Sequence, residues 1–183
     1  DEYITEDLLK EVEKQYLLLK TITIELTDKR KENASILKEN ILKTLKTLYL
    51  DKVSLDIKFN EYNFKDALKD DFFNKEGADI VKFYISFNIG EPLKELSKVA
   101  SGGEMSRVML AFKVHLLNNL GLSTIIFDEI DTGVSGIVAK AMADKLRLIS
   151  KKTQVLSITH LPIVASAAHH HLYINKKVQN ERT

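Results

Sequence analysis

Cysteine and tryptophan are absent from this 183-residue sequence, and proline occurs only twice. Without cysteine there is no disulfide, no thiolate zinc site and no cysteine nucleophile, a composition that fits a reducing cytoplasm. One-sided charge is missing as well: 27 Lys and Arg stand against 26 Asp and Glu, a net charge of +1. Bulk electrostatics therefore gives no argument for nucleic acid. DNA contact would have to come from a local patch or from sequence outside this chain. No apolar run approaches the ~20 residues that span a bilayer, and no signal peptide is present. A chain opening on Asp1 rather than Met reads as a piece of a longer protein.

What is present is an ordinary globular composition, 44% hydrophobic and 29% charged, enough for one substantial α/β core plus an extended arm. From Ile4 to Leu50 there is neither Pro nor Gly. Leu8, Val12, Leu19, Ile22 and Leu26 follow a seven-residue frame, continued by Ile36, Leu37, Ile41, Leu45 and Leu48. This pattern predicts a helical arm over residues 1–50, the end of a coiled coil. Gln15, Lys29 and Asn33 interrupt the seam, so a helix packed on a globular body competes for its second half. Residues 51–183 read as a separate α/β lobe. Within it "VSLDIKF" and "VKFYISF" alternate as half-buried strands, with turn chemistry in "NKEGAD" and a short helical piece in "FKDALKDDFF" between them. A helix reaches about Asn119, with Val108, Leu110, Ala111, Val114 and Leu117 inward, and Gly121 closes it. "STIIFDE" reads as a strand buried on both faces, followed by the helix "IVAKAMADKLRLIS", the strand "TQVLSITH", the segment "LPIVASAAHH" and a last strand in "HLYINKK". Strand, helix, strand implies a parallel pair with a crossover, and ligands sit at the carboxyl ends of such strands.

Three stretches carry chemistry. In "VASGGEMSR", Ser101 and Glu104 have the spacing of a capping box, in which each side chain bonds the other residue's backbone amide. The same stretch suits an anion: Gly102 and Gly103 let backbone amides approach it, the helix presents its positive end, Ser101 adds a hydroxyl, and Arg107 adds charge. In "IIFDE", Asp128 can hold Mg²⁺ through water, and Glu129 can orient or deprotonate an attacking water. The loop Asp131, Thr132, Gly133 follows directly, and His160 ends the neighbouring predicted strand. Met105 and Met109 read as core filler. His169 to His171 are consecutive, so they do not share a face and make a poor joint metal site. Lys29, Lys31 and Lys38 could meet DNA phosphates or form a solvated face.

"SGGE" before an apolar helix, then "TIIFDE", "DTG" and "ITH" together resemble the signature motif, Walker B strand, D-loop and switch histidine of ABC-type ATPase heads in SMC-like chromosome-maintenance proteins. The fuller strings "LSKVASGGEMSRVMLAFK", "IIFDEIDTGVSG" and "ITHLPIVASAAHHH" are similar to the bacterial DNA-repair branch of that family, which acts in double-strand break repair and recombination. The resemblance implies the carboxyl-terminal lobe of an ABC-type head, a mixed sheet with helices, behind a returning coiled-coil arm. It implies ATP and Mg²⁺ as cofactors and a second head as homodimer partner. It further implies an amino-terminal lobe carrying Walker A, and DNA as target, in the bacterial cytoplasm at the nucleoid. By the same resemblance Ser101, Gly102, Gly103 and Glu104 would bind ATP held by the partner head. Asp128 would serve Mg²⁺, Glu129 would be the catalytic carboxylate, and Asp131, Thr132 and Gly133 would form the D-loop at the dimer contact. His160 would read the γ-phosphate. The sequence departs from the family in one respect: it contains no G-x-x-x-x-G-K-[ST] loop, so this stretch by itself is expected to be inactive. Rival readings are another SMC-like ATPase, a transporter-type ATPase subunit, or a non-catalytic tethering module.

Overall fold

One helix, α1 (Glu2–Thr47), occupies the whole Gly- and Pro-free stretch. Pairs spaced three or four residues apart, Glu6 with Lys10 and Glu39 with Lys43 among them, line its solvent side. The computed structural model describes residues 2–64, 73–99, 102–134 and 136–175. Its contacts divide the chain into two units, residues 1–43 with 52–99 and residues 44–51 with 100–183, whereas the sequence reading divides it at residue 50. The expected helix in "FKDALKDDFF" falls almost wholly outside the described residues.

In the first unit β1 (Ser54–Phe59), β2 (Val81–Ser86) and β3 (Lys94–Glu95) form an antiparallel sheet in that order, with Leu55 opposite Ile85 and Tyr84 opposite Glu95. Asn74 and Gly77 close a tight turn in "NKEGAD" by reciprocal backbone bonds. Against this body α1 turns a mixed stripe: Leu26 of the seam lies against Gly77, and polar side chains flank it. Tyr16 Oη donates to Phe64 O, Thr27 Oγ1 bonds both Tyr62 Oη and Asp79, and Arg30 donates to Asp79 at 2.7 Å and to the carbonyl of Glu76. Asp79 is buried, so Thr27 and Arg30 replace the water its carboxylate gives up. In the second half of the arm Ile41 is fully buried while Ile36 is 53% exposed. Leu8, Val12, Leu19 and Ile22 remain 41–61% exposed, a seam with no partner among the described residues.

In the second unit α1 ends in a Schellman motif. Leu50 N donates to Leu45 O and Tyr49 N to Lys46 O, while Tyr49 takes a left-handed φ of 60°. Then come α2 (Gly103–Leu120), closed by Gly121 at a φ of 61°, β4 (Thr124–Asp128), α3 (Gly136–Ser150), β5 (Gln154–Ile158) and the short α4 (Pro162–Ala165). β4 and β5 pair in parallel across α3, with Asp128 opposite Ile158. The apolar stripe of α3 (Ala139, Met142, Ala143, Leu146, Ile149) is buried, as are Val108, Leu110, Ala111, Phe112 and Leu117 of α2.

The antiparallel and the parallel strands lie in two sheets among the described residues. Three expectations are corrected. β4 is not covered on both faces among the described residues: Phe127 is buried, but Ile126 on its other face, with Leu156 and Ile158 of β5, is 45–60% exposed. Met109 is not core filler, since it lies on the outer side of α2. Finally, His171 to Asn175 form no strand among the described residues, and Lys176 and Lys177 lie outside them.

Candidate functional site

The parallel register of β4 and β5 places their carboxyl ends side by side, and Glu129 N donates to Ile158 O just beyond the last paired residues. The chain then turns sharply. The carbonyl of Glu129 accepts from both the amide and the hydroxyl of Thr132, and Glu129 itself sits at a left-handed φ of 46°. A non-glycine residue held there costs about 1–2 kcal/mol, strain that the surrounding turn must offset. The outcome is that Asp128 and Glu129 project from the strand end with exposed side chains.

Asp131 turns the other way. Its side chain is 1% exposed and accepts a hydrogen bond from Thr159 Oγ1, the residue directly after β5. Its second oxygen, Oδ1, accepts no hydrogen bond among the described residues and lies 3.7 Å from His160 Nδ1. The His160 ring is 60% exposed. Asp131 is thus buried within its own unit, and exposed Thr132 and Gly133 form the outward part of that loop.

The amino end of α2 closes the group. A Cβ built on Gly103 would stand 3.1 Å from the carbonyl oxygen of Thr132, a close approach that glycine alone makes free of crowding; around Gly102 a Cβ meets nothing within 4 Å. The helix cap is Gly102, with Ser106 N bonding Gly102 O and no side-chain cap. The capping-box register is therefore wrong by one residue. Glu104 falls in the first turn of the helix, favourable to its positive end. Ser101 lies outside the described residues.

Arg107 does not face the loop as expected. Its Nη1 donates to the carbonyls of Leu48 and Tyr49 at 3.0 and 3.2 Å, and its Nε donates to Gly103 O, so it caps the carboxyl end of α1. Burial lowers its pKa from the ordinary arginine value, and the charge of Glu104 opposes that shift. Lys38 is likewise engaged, bound to Asp56 at 2.9 Å. Among the described residues no group of three or more His, Asp or Glu side chains is placed to hold a metal, the exposed His169 to His171 included. None of the described helices is long and apolar enough to cross a membrane.

The sequence reading missed Thr159, Arg107's capping role and the strain at Glu129. Only the first left a signal, the hydroxyl directly before the histidine in "ITH".

No family model matches the chain. It is 48% identical over 176 residues to the DNA repair protein RecN of Halalkalibacterium halodurans, covering 94% of this chain and 30% of that protein. To RecN of Bacillus subtilis it is 48% identical over 84% of this chain and 28% of that one, and to RecN of Haemophilus influenzae 33% over 98% and 31%. The chain spans roughly three tenths of the length of these relatives. Among solved structures it is similar to the Smc head domain with a coiled coil and joint from Pyrococcus yayanosii, with a TM-score of 0.61 at 20% identity over 90% of this chain and 29% of that one. It is similar also to an SmcHead bound to the C-winged helix domain of ScpA, with a TM-score of 0.54 at 20% identity over 84% and 44%. The fold is that of an SMC-type head.

Proposed function

We propose that this chain, which belongs to the family of the DNA repair protein RecN, is the signature-bearing lobe of an SMC-type ATPase head that acts in DNA double-strand break repair. The observation that carries the reading is convergence within one unit. Asp128 and Glu129 at the end of β4, Thr159 and His160 at the end of β5, and the amino end of α2 against Thr132 meet through backbone and side-chain contacts. Chain positions from 102 to 160 are thereby gathered at one edge, where a parallel sheet binds ligands.

These residues fit a magnesium nucleotide. Asp128 presents an exposed carboxylate rather than a closed cage, suiting an ion that keeps waters and phosphate oxygens as its other ligands. When bound, Mg·ATP supplies the scissile phosphoanhydride and neutralises developing charge. In this reading Glu129 holds an attacking water and accepts its proton, held forward by its turn. His160, exposed on the same edge, meets the γ-phosphate. Gly102 leaves room for an anion near the amides at the start of α2, and with Gly103, Glu104 and Ser101 it engages nucleotide held by a second head of a homodimer. Thr132 and Gly133 face that second head.

Two bare surfaces fit the remainder of a longer protein. Ile126, Leu156 and Ile158 suit an amino-terminal lobe bearing Walker A, and the Leu8–Val12–Leu19–Ile22 seam suits the outgoing arm. DNA is engaged by the whole protein at the nucleoid. The test is ATP turnover by the full-length protein: Glu129→Gln is expected to keep ATP binding while lowering kcat by about 10²–10⁴-fold, and turnover equal to wild type would refute the assignment.

A further inference from the structure

Among the described residues Asp131 is the one buried carboxylate with an oxygen left unbonded, and its other oxygen is held by a residue without an assigned role. Thr159 Oγ1 donates to Asp131 Oδ2 and accepts from Leu161 N at 3.1 Å. One hydroxyl thus serves two segments, as its single donor and two lone pairs permit. The bond to Leu161 closes a turn around His160, fixing its backbone on both sides while the ring stays exposed. The bond to Asp131 fixes the carboxylate so that Oδ1, unbonded, lies 3.7 Å from His160 Nδ1. Closing that gap to ordinary hydrogen-bond length takes a movement of about 1 Å, well within a side-chain rotation.

We propose that Thr159 is a positioning residue: its hydroxyl holds the turn at His160 and aims Asp131 Oδ1 at the Nδ1 edge of that ring, orienting the opposite nitrogen toward the reacting phosphate. A carboxylate bonded to one imidazole nitrogen sets the direction and tautomer of the other. The inference rests on the proposed role of His160 and adds to it a device within the same chain. The D-loop carboxylate then serves its own switch histidine first. The partner head meets only the exposed part of that loop.

The test uses the full-length protein with Thr159→Val, which keeps the shape and removes the hydroxyl, Thr159→Ser, which keeps the hydroxyl, and Thr159→Ala should valine fail to fold. Without nucleotide, amide exchange at Leu161 is expected to quicken at least about tenfold in the valine and alanine variants and to stay near wild type in the serine variant. With ATP, valine is expected to lower kcat about tenfold with KM within about twofold, and serine to restore it. In a His160→Ala background valine is expected to add nothing, since the residue acts through the ring. Unchanged exchange at Leu161, unchanged kcat, or a valine effect that multiplies with His160→Ala would each overturn the proposal. If the wild-type protein turned over no ATP, the functional reading would fall, while the exchange result would still decide whether Thr159 holds the turn.

Discussion

Gly103 lies against Thr132 so closely that a single added carbon would stand 3.1 Å from the Thr132 carbonyl oxygen. The second glycine of the pair thus binds two motifs together, while the first, Gly102, faces open space in an extended conformation that any residue adopts. Alanine at 103 must push a backbone carbonyl. Gly103→Ala is expected to cost about 1 kcal/mol more than Gly102→Ala, measured by urea unfolding of the chain. Equal stabilities would show that the turn yields freely.

Tyr49 occupies the left-handed position of the Schellman motif, where glycine is usual. Tyr49→Gly removes that backbone strain and is expected to stabilise the second unit by about 0.5–1 kcal/mol, with Tyr49→Ala giving no gain. Thermal unfolding of the two variants checks it. A destabilised glycine variant would mean that the half-exposed ring contributes more than the strain costs.

The hydrogen bond from Lys38 holds the Asp56 carboxyl below the usual aspartate range. Desolvation opposes it, and the charge of Lys38, the Ile57 amide and Lys58 reinforce it. A carboxyl depressed in the folded state contributes stability above its unfolded pKa and loses it as pH falls through the folded value. Asp56→Asn is therefore expected to flatten the acid side of the stability curve below the ordinary aspartate pKa and to leave its shape at neutral pH unchanged. Both partners are more than a third exposed, so the effect is small and shrinks in high salt. Denaturant midpoints between about pH 2 and 5 in low and high salt measure it; curves that stay parallel would remove the pair from the account.

Leu156 lies on the uncovered face of the β4–β5 pair, 45% exposed. Leu156→Asp is expected to change the stability of this chain by no more than about 0.5 kcal/mol, yet to prevent association with a separately expressed amino-terminal lobe. Co-purification decides between the outcomes: full retention by the variant would place that lobe elsewhere.

The 183-residue chain alone is expected to give no ATP turnover above its Glu129→Gln variant. Sustained hydrolysis that Glu129→Gln abolishes would show that the site needs no separate phosphate loop.

Consecutive residues determined the length of α1, because 46 positions without Gly or Pro leave no interruption in its hydrogen bonding. They determined β1 and β2 by alternation, the close of α2 at Gly121, and the order of the chemical motifs. Periodicity and backbone freedom belong to neighbours in the chain, so they were legible there. The tertiary structure decided what depends on distant groups. Polar Thr27 and Arg30 turn inward from α1 because Asp79, 49 residues beyond Arg30, needs partners. Arg107 caps α1 through the carbonyl of Leu48, 59 residues before it. Asp131 points inward because a hydroxyl 28 residues away meets it. Burial and hydrogen bonding are set by which segments the fold brings together, and that is why the motif order was readable in the sequence while the direction of each side chain was not.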